Sequence, residues 1–230
     1  MKQIEKSPIL ITGAARSGTS MVAGVIDISG AFGGDMSGPN RNNQKGMFEN
    51  SRIRNEIVKP HLRELGYDPK GQYPLPETEK LSIPVNWRRR VENIMIAQGY
   101  KEGPWFYKGA KMCLTWPIWH HAFPDAKWII VRRRTADIVN SCMRTGFMNA
   151  FKDKDGWLWW VHEHEQRFRE MIEAGLNVKI VWPEKMLYGN YHEMQETIEW
   201  LGLDWKGQKV YNFIEPKLWH AKRKKGIIKK

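Results

Sequence analysis

The stretch PILITGAARSGTS, residues 8–20, predicts a phosphate-binding loop between a strand and a helix. Residues 8–12 form a short apolar run typical of a buried strand, and residues 18–29 carry apolar side chains at helical spacing. Gly13 and Gly18 are separated as in the phosphate-binding pattern G-x-x-x-x-G-K-[ST]. A strand, a glycine loop and a helix in this order favour an anion held by backbone N–H groups at the start of the helix.

The loop departs from the nucleoside triphosphatase pattern at one position. Thr19 stands where that pattern has lysine, while Arg16 lies inside the loop and Ser20 fills the final hydroxyl position. In triphosphatases the lysine neutralises the terminal phosphates and the hydroxyl holds Mg²⁺. Ser17 adds a further hydroxyl donor. The loop therefore predicts an anion site without the main cation of triphosphate chemistry, and a glycine turn before a helix is the alternative interpretation.

Composition indicates a globular protein with an excess of positive charge. The 230 residues are 41% hydrophobic and 27% charged, which is ordinary for globular proteins, and the formal net charge is +12. We expect a single domain over residues 1–230 with a basic tail at 217–230, which contains seven Lys and Arg residues and no acidic residue. The two cysteines imply no disulfide framework, and no apolar run is long enough for a transmembrane helix. A cytoplasmic location is the expectation, with the oligomeric state left open.

Strand and helix patterns alternate along the chain and predict an α/β fold. The run WIIV within residues 125–133 is the strongest strand pattern, as expected for a central parallel strand. The sequence therefore predicts a P-loop NTPase-like domain with a central parallel β-sheet flanked by helices. Further strands are predicted at 104–109 and 178–182, and further helices at 49–65, 85–98, 115–123, 135–146, 157–174 and 191–201.

Arg133 and Ser141 form a second candidate anion site. Arg133 follows the predicted central strand at its carboxyl end, where open α/β sheets bind ligands. Ser141 lies about two helical turns further on, so both side chains could reach one phosphate. A basic helix start with a serine that faces the core is the alternative.

The glycine loop resembles the 5′-phosphosulfate loop of sulfotransferases that use 3′-phosphoadenosine 5′-phosphosulfate. That loop commonly reads PKSGT or PRSGT, and residues 14–20 (AARSGTS) match it from Arg16 to Thr19. Arg16 replaces the commoner lysine, which changes a point charge into a planar fork. The resemblance implies that Arg16 supplies the cation for the bridging oxygen and the developing charge, without a metal ion.

The second motif resembles the 3′-phosphate signature of the same family. That signature is an arginine, an aspartate four residues on and a serine eight residues on, and Arg133, Asp137 and Ser141 fit it. Thr135 stands in the place of a frequent proline. The resemblance implies that these two motifs hold the donor nucleotide, with the following donor-binding residues: Gly13, Ala15, Arg16, Ser17, Gly18, Thr19, Ser20, Arg133 and Ser141.

Flanking segments extend the resemblance over residues 8–145. Residues 46–50 (GMFEN) are similar to a G-x-[FW]-E segment of bacterial and carbohydrate members, and residues 105–111 and 120–133 are similar to their strand–helix–FPDAK run. The resemblance implies transfer of a sulfuryl group to a hydroxyl acceptor, a small molecule or a glycan, with adenosine 3′,5′-bisphosphate as product. Pockets for different acceptors vary in loops, so the acceptor stays open.

Sulfuryl transfer needs a base for the acceptor proton, and the resemblance points to Glu49. A glutamate at a helix start is the alternative interpretation, and His120 and His121 are weaker candidates. Lys108, at the end of its predicted strand, matches a family lysine and would stabilise the transferred sulfonate. An ordinary exposed lysine is the alternative there. The catalytic candidates are therefore Glu49, Arg16 and Lys108.

Two other functions are weighed against this one. A P-loop kinase or nucleotide hydrolase with a divergent loop is the main alternative, and a nucleic-acid-binding module rests on charge alone. No metal site is expected, because HEHE at 162–165 is not a recognised ligand pattern. The segment KRKKG at 222–226 is a loose match to a basic loop that helps to hold the 3′-phosphate in the family.

Overall fold

A computed structural model describes residues 4–40 and 43–219, and its centre is a parallel sheet. The strands are β1 (Ile9–Thr12), β2 (Phe106–Lys108), β3 (Lys127–Val131) and β4 (Val178–Val181), in the order β2-β1-β3-β4. All three strand pairs are parallel. The predicted α/β class is confirmed, and the carboxyl ends of all four strands meet at one edge of the sheet.

Helices cover both faces of this sheet. Their bounds are α1 (Thr19–Ile28), α2 (Lys59–Glu64), α3 (Trp87–Ala97), α4 (Trp116–Ala122), α5 (Thr135–Met143), α6 (Lys154–Glu173), α7 (His192–Leu201) and α8 (Gly207–Phe213). A π-helical segment, Ile53–Val58, precedes α2, and short 3₁₀ turns cover Thr78–Lys80, Ala110–Thr115, Pro183–Tyr188 and Pro216–Leu218. The sequence patterns predict all of the longer helices but miss α8 and the 3₁₀ turn after β4.

The helix predicted to start near Glu49 starts two residues later, at Ser51, and this difference concerns a candidate catalytic residue. The pattern places the start near Glu49, but the regular helix begins after Asn50. The Asn50 side chain accepts a hydrogen bond from the Ile53 backbone N–H at 3.2 Å, as an N-terminal capping residue does. Glu49 therefore belongs to the preceding loop and not to the first turn of the helix.

Alternating strand residues build a core on each face of the sheet. Leu10 and Ile130 point to the face covered by α3, α4 and α6, whereas Ile11 and Ile129 point to the face covered by α1, α7 and α8. Apolar residues on both faces explain why the strands are continuous apolar runs. The central strands are therefore rigidly held, and the loops at their carboxyl ends start from fixed positions.

None of the helices in the described ranges is long and apolar enough to cross a membrane. Most of the predicted basic tail, with the KRKKG segment, lies outside the described residues, which end at Trp219.

Candidate active site

One cleft lies at the carboxyl ends of β1, β2 and β3. It is lined by the glycine loop, by residues 43–49, by the turn after β2, by the loop before α5 and the last turn of α5, and by residues between 213 and 219. Gly13 and Ser17 belong to the loop but do not line the cleft. The other predicted site residues do so: Ala15, Arg16, Gly18, Thr19, Ser20, Glu49, Lys108, Arg133 and Ser141.

The glycine loop has the backbone geometry of an anion cradle. Gly18 occupies the N-cap position directly before α1 and adopts a left-handed conformation with φ of 99°. Arg16 also has a positive φ, 76°, which is uncommon and strained for a residue with a Cβ atom. Backbone strain of this kind concentrates at ligand-binding loops, where it turns N–H groups toward one point.

The two predicted anion motifs are joined by direct hydrogen bonds. The Arg16 Nε donates to Ser141 Oγ at 3.0 Å, and the Arg133 Nη1 donates to the Arg16 backbone carbonyl at 2.9 Å. The loop after β1 and the loop and helix after β3 are therefore in contact, because β1 and β3 are neighbours in the sheet. The two motifs, which are far apart in the sequence, therefore form one continuous surface.

Several buried polar atoms in or next to the cleft lack a hydrogen-bond partner, and two of them belong to the predicted anion motifs. Ser17 Oγ and Arg133 Nε are buried without a hydrogen bond in the structure. Burial lowers the pKa of Arg16 and of Arg133, and both guanidinium groups stay charged because arginine is so basic. A buried guanidinium N–H and a buried hydroxyl that both lack a hydrogen-bond partner fit an anionic ligand with several acceptor oxygens, such as a phosphate group.

Trp219 covers the same arginine. Its ring centroid lies 4.1 Å from the Arg133 guanidinium carbon, and its ring also lies against Gly18. The segment that carries Trp219 is held by Lys45, whose Nζ lies 2.6 Å from both the Phe213 carbonyl oxygen and a Glu215 carboxylate oxygen. In this conformation the aromatic ring of Trp219 covers one face of the Arg133 guanidinium group.

Glu49 lies at the other end of the cleft, buried among cations. Its carboxylate is 3.7 Å from Arg54 Nη1 and 3.6 Å from Lys111 Nζ. Burial alone would raise the pKa of Glu49, but Lys111, Lys108, Arg54 and then Lys59 together hold it below its usual value. The carboxylate is therefore ionised at neutral pH, as an acceptor of protons must be.

Lys108 is buried and not an ordinary exposed lysine, so that alternative interpretation is wrong. Burial lowers the pKa of Lys108 to about 8, although the neighbouring Glu49 charge opposes the shift. The register explains its position: Lys108 pairs with Ile11 two residues before the glycine loop, so its Cα lies at the edge that carries the loop. A cation and a carboxylate thus face the cleft together.

Phe48, next to Glu49, supplies a second strained position. Its φ is 50°, and Phe48 and Arg16 are the positive-φ residues other than glycine within the described ranges. Both line the cleft. The backbone around Glu49 is fixed by a hydrogen bond from the Ser37 N–H to the Glu49 carbonyl oxygen at 2.9 Å. Strain at two separate loops of one cleft indicates that their geometry serves a ligand.

The remaining candidates lie away from the cleft. Neither His120 nor His121 lines it. Within HEHE, Glu165 pairs with Arg132, and His164 is buried with Nδ1 2.8 Å from the Trp160 carbonyl oxygen, where burial lowers its pKa to about 4. Among residues 4–40 and 43–219 no group of three or more His, Cys, Asp or Glu side chains is arranged to hold a metal ion.

Sequence reasoning missed several cleft residues. Lys111 carried a usable signal, because it lies three residues after the strand-end candidate Lys108, in the 3₁₀ turn that follows β2. Arg54 and Trp219 carried none, since only the tertiary fold brings Arg54 to Glu49 and Trp219 to the cleft. Lys70 and Phe147, which also line the cleft, were not among the candidates.

Three of the solved structures that this chain matches are sulfotransferases. Sulfotransferase STF1 from Mycobacterium tuberculosis H37Rv matches with a TM-score of 0.53 and 13% identity over 90% of this chain and 71% of that chain. The sulfotransferase domain of the Synechococcus PCC 7002 olefin synthase matches with a TM-score of 0.52 and 13% identity over 95% and 81%. Sulfotransferase STF9 from Mycobacterium avium matches with a TM-score of 0.55 and 12% identity over 90% and 67%.

These matches establish the fold as that of the sulfotransferases, which confirms the resemblance at the level of fold. No protein-family model matches the sequence, and no curated protein matches it. At 12–13% identity the likeness concerns the fold alone, so the activity is argued from this chain's own cleft.

Proposed function

We propose that this protein is a sulfotransferase that moves a sulfuryl group from 3′-phosphoadenosine 5′-phosphosulfate to a hydroxyl acceptor. The observation that carries the proposal is the direct link between the glycine loop and the Arg133–Ser141 motif in a cleft that also holds Glu49 and Lys108. A donor with phosphate groups at both its 5′ and 3′ ends needs two linked anion sites of this kind.

The donor's two ends are assigned to the two motifs. The N–H groups at the start of α1 and the hydroxyls of Ser17, Thr19 and Ser20 would hold the 5′ end, where the helix dipole favours negative charge. Arg133 and Ser141 would hold the 3′-phosphate by charge-assisted hydrogen bonds. The unpartnered Arg133 Nε and Ser17 Oγ support these assignments.

The proposed chemistry depends on the charges of Arg16, Lys108 and Glu49. The bound donor supplies the sulfuryl group and leaves as adenosine 3′,5′-bisphosphate. Arg16 and Lys108 would stabilise the negative charge that develops on the sulfonate and bridging oxygens. Glu49 would accept the proton of the acceptor hydroxyl. Its lowered pKa makes it a weak base, so we place proton transfer late, when bond formation to sulfur has made the acceptor oxygen acidic.

Kinase or nucleotide hydrolase activity is the competing proposal, and Thr19 in the lysine position argues against it. The test is release of adenosine 3′,5′-bisphosphate from the sulfate donor, with a mixture of phenolic, aliphatic and saccharide alcohols as acceptors. We expect release that depends on the acceptor mixture and persists in EDTA. Hydrolysis of ATP with Mg²⁺, without consumption of the sulfate donor, would overturn the proposal.

A further inference from the structure

Three aromatic rings, two exposed and one half-buried, form a cluster that we call the aromatic triad: Tyr73, Trp159 and the half-buried Phe151. Their ring centroids lie 5.7 Å apart for Tyr73–Phe151, 5.9 Å for Tyr73–Trp159 and 5.8 Å for Phe151–Trp159. Tyr73 is 60% exposed and Trp159 is 40% exposed. Contiguous exposed aromatic surface marks a binding site more often than chance exposure of single side chains.

The triad continues the wall of the cleft. Lys70, Phe147 and Trp160 line the cleft, and Phe151 of the triad is joined to Trp160 through Trp157. The ring centroids lie 5.2 Å apart for Phe151–Trp157 and 5.6 Å apart for Trp157–Trp160. Phe147 is itself 40% exposed, so apolar surface runs from the cleft outward. A molecule whose reacting hydroxyl sits at Glu49 can therefore extend along this wall to the triad.

Buried hydrogen bonds hold the two loops of this wall together. The buried Gln72 donates through Nε2 to the Phe147 carbonyl oxygen at 2.7 Å and accepts through Oε1 from the Asn149 N–H at 2.9 Å. Trp160 Nε1 donates to the Gly71 carbonyl oxygen at 3.0 Å. The surface is thus preorganised, which lowers the entropy cost of binding.

The polar groups around the triad indicate the chemistry of the ligand. Lys70 Nζ lies 3.3 Å from Asn149 Oδ1, and Lys70 forms no ion pair with a carboxylate of the described residues. A wholly apolar ligand favours an enclosed pocket, whereas this surface is open and has an amine and an amide at its edge. A pyranose ring offers C–H groups to aromatic faces and hydroxyls to polar groups, and an attached carboxylate would pair with Lys70.

We propose that the aromatic triad and Lys70 form a docking surface for the non-reacting part of an anionic saccharide acceptor. The proposal rests on the proposed sulfotransferase function and names its substrate class. The triad would carry one sugar residue beyond the reacting one, and Lys70 would select acceptors with a uronate or a similar anionic group between the two.

Binding to immobilised oligosaccharides tests this surface, with neutral N-acetylhexosamine oligomers and uronate-containing oligomers of equal length. We expect the uronate-containing oligomers to bind, and Tyr73→Ala or Trp159→Ala to weaken that binding about tenfold. Lys70→Ala should remove the preference for uronate. Tyr211→Ala, which removes an exposed aromatic ring away from the cleft, is the matched control and should change nothing.

Three results would overturn the proposal. The first is that no oligosaccharide binds. The second is that the triad variants bind like the parent protein while their thermal unfolding is unchanged. The third is that the triad variants lose binding to phosphatidylserine vesicles instead, which would assign the surface to a membrane. Affinity for adenosine 3′,5′-bisphosphate is measured on the same preparations, because its retention separates failure of this surface from failure of the proposed function.

Discussion

Arg16 and Ser141 are 125 residues apart in the sequence and share a hydrogen bond of 3.0 Å from Nε to Oγ. The bond joins a strained loop after β1 to the last turn of α5, and it leaves no gap between the two predicted anion motifs. A ligand that bridges both motifs would replace or share this bond. The predictions below follow from that contact and from the charged residues around it.

Arg133→Ala is expected to weaken binding of adenosine 3′,5′-bisphosphate by about ten- to a hundredfold. The lost charge-assisted hydrogen bonds are worth roughly 1.5–3 kcal/mol. Affinity for adenosine 5′-monophosphate, which has no 3′-phosphate, should change far less. Titration calorimetry measures both, and Arg134→Ala, at the more exposed neighbouring arginine, is the control. Equal loss for the two nucleotides would show that Arg133 does not hold the 3′-phosphate.

Glu49→Gln is expected to lower turnover by about 10²- to 10⁴-fold, the usual contribution of a general base. Affinity for adenosine 3′,5′-bisphosphate should barely change, because Glu49 is assigned to the acceptor end of the cleft. Steady-state kinetics and calorimetry provide the two readouts, and Glu64→Gln on α2 is an exposed control. Turnover close to that of the parent would remove Glu49 from the mechanism, and loss of folding would assign it a structural role.

The pH dependence of kcat/KM for the donor should report Lys108. Its stabilising role needs the protonated amine, which predominates below its pKa of about 8 and is lost as pH rises through that value. We therefore expect kcat/KM to fall above about pH 8. In the pH profile of kcat, the same decline should occur at higher pH, because a bound anion favours the protonated form of Lys108.

Lys108→Arg is the variant that tests whether this decline belongs to Lys108, since arginine keeps its charge to much higher pH. The decline should then disappear from the accessible range even where turnover is reduced. Glu49→Gln should move the decline to lower pH, because the Glu49 charge raises the pKa of Lys108. If the decline stays at the same pH in both variants, it belongs to another group.

Trp219→Ala is expected to strengthen nucleotide binding. The ring lies over the Arg133 guanidinium, and a cation–π contact of this kind is worth about 0.5–2 kcal/mol, which a 3′-phosphate must displace. We expect a few-fold higher affinity for adenosine 3′,5′-bisphosphate and faster association in stopped-flow mixing. Weaker binding would instead mean that Trp219 packs on the bound nucleotide.

Local sequence patterns were sufficient to predict the elements that carry the cleft. The run before Gly13 and the run before Arg133 are both strands, and Ser141 lies in the helix that follows the second run. These features depend on short-range periodicity and on the rule that the carboxyl ends of parallel strands meet at one edge of a sheet. They are therefore readable without a structure.

The charges around Glu49 were not readable in the same way. Arg54 and Lys111 reach it from a π-helical segment and a 3₁₀ turn, and no local pattern reports that these two segments pack together. Trp219 comes to Arg133 from the far end of the described chain. Burial of Lys108 likewise depends on the neighbours of a three-residue strand, which its own sequence does not determine.

The central claim is that the cleft binds a nucleotide by separate 5′ and 3′ anion sites, and calorimetric titration tests it most directly. Adenosine 3′,5′-bisphosphate and adenosine 5′-monophosphate are titrated in EDTA, and ATP is titrated with Mg²⁺. The account predicts that the bisphosphate binds most tightly, by at least about tenfold over the monophosphate, for the charge-assisted bonds to its 3′-phosphate. Tighter binding of ATP with Mg²⁺ than of the bisphosphate would contradict it.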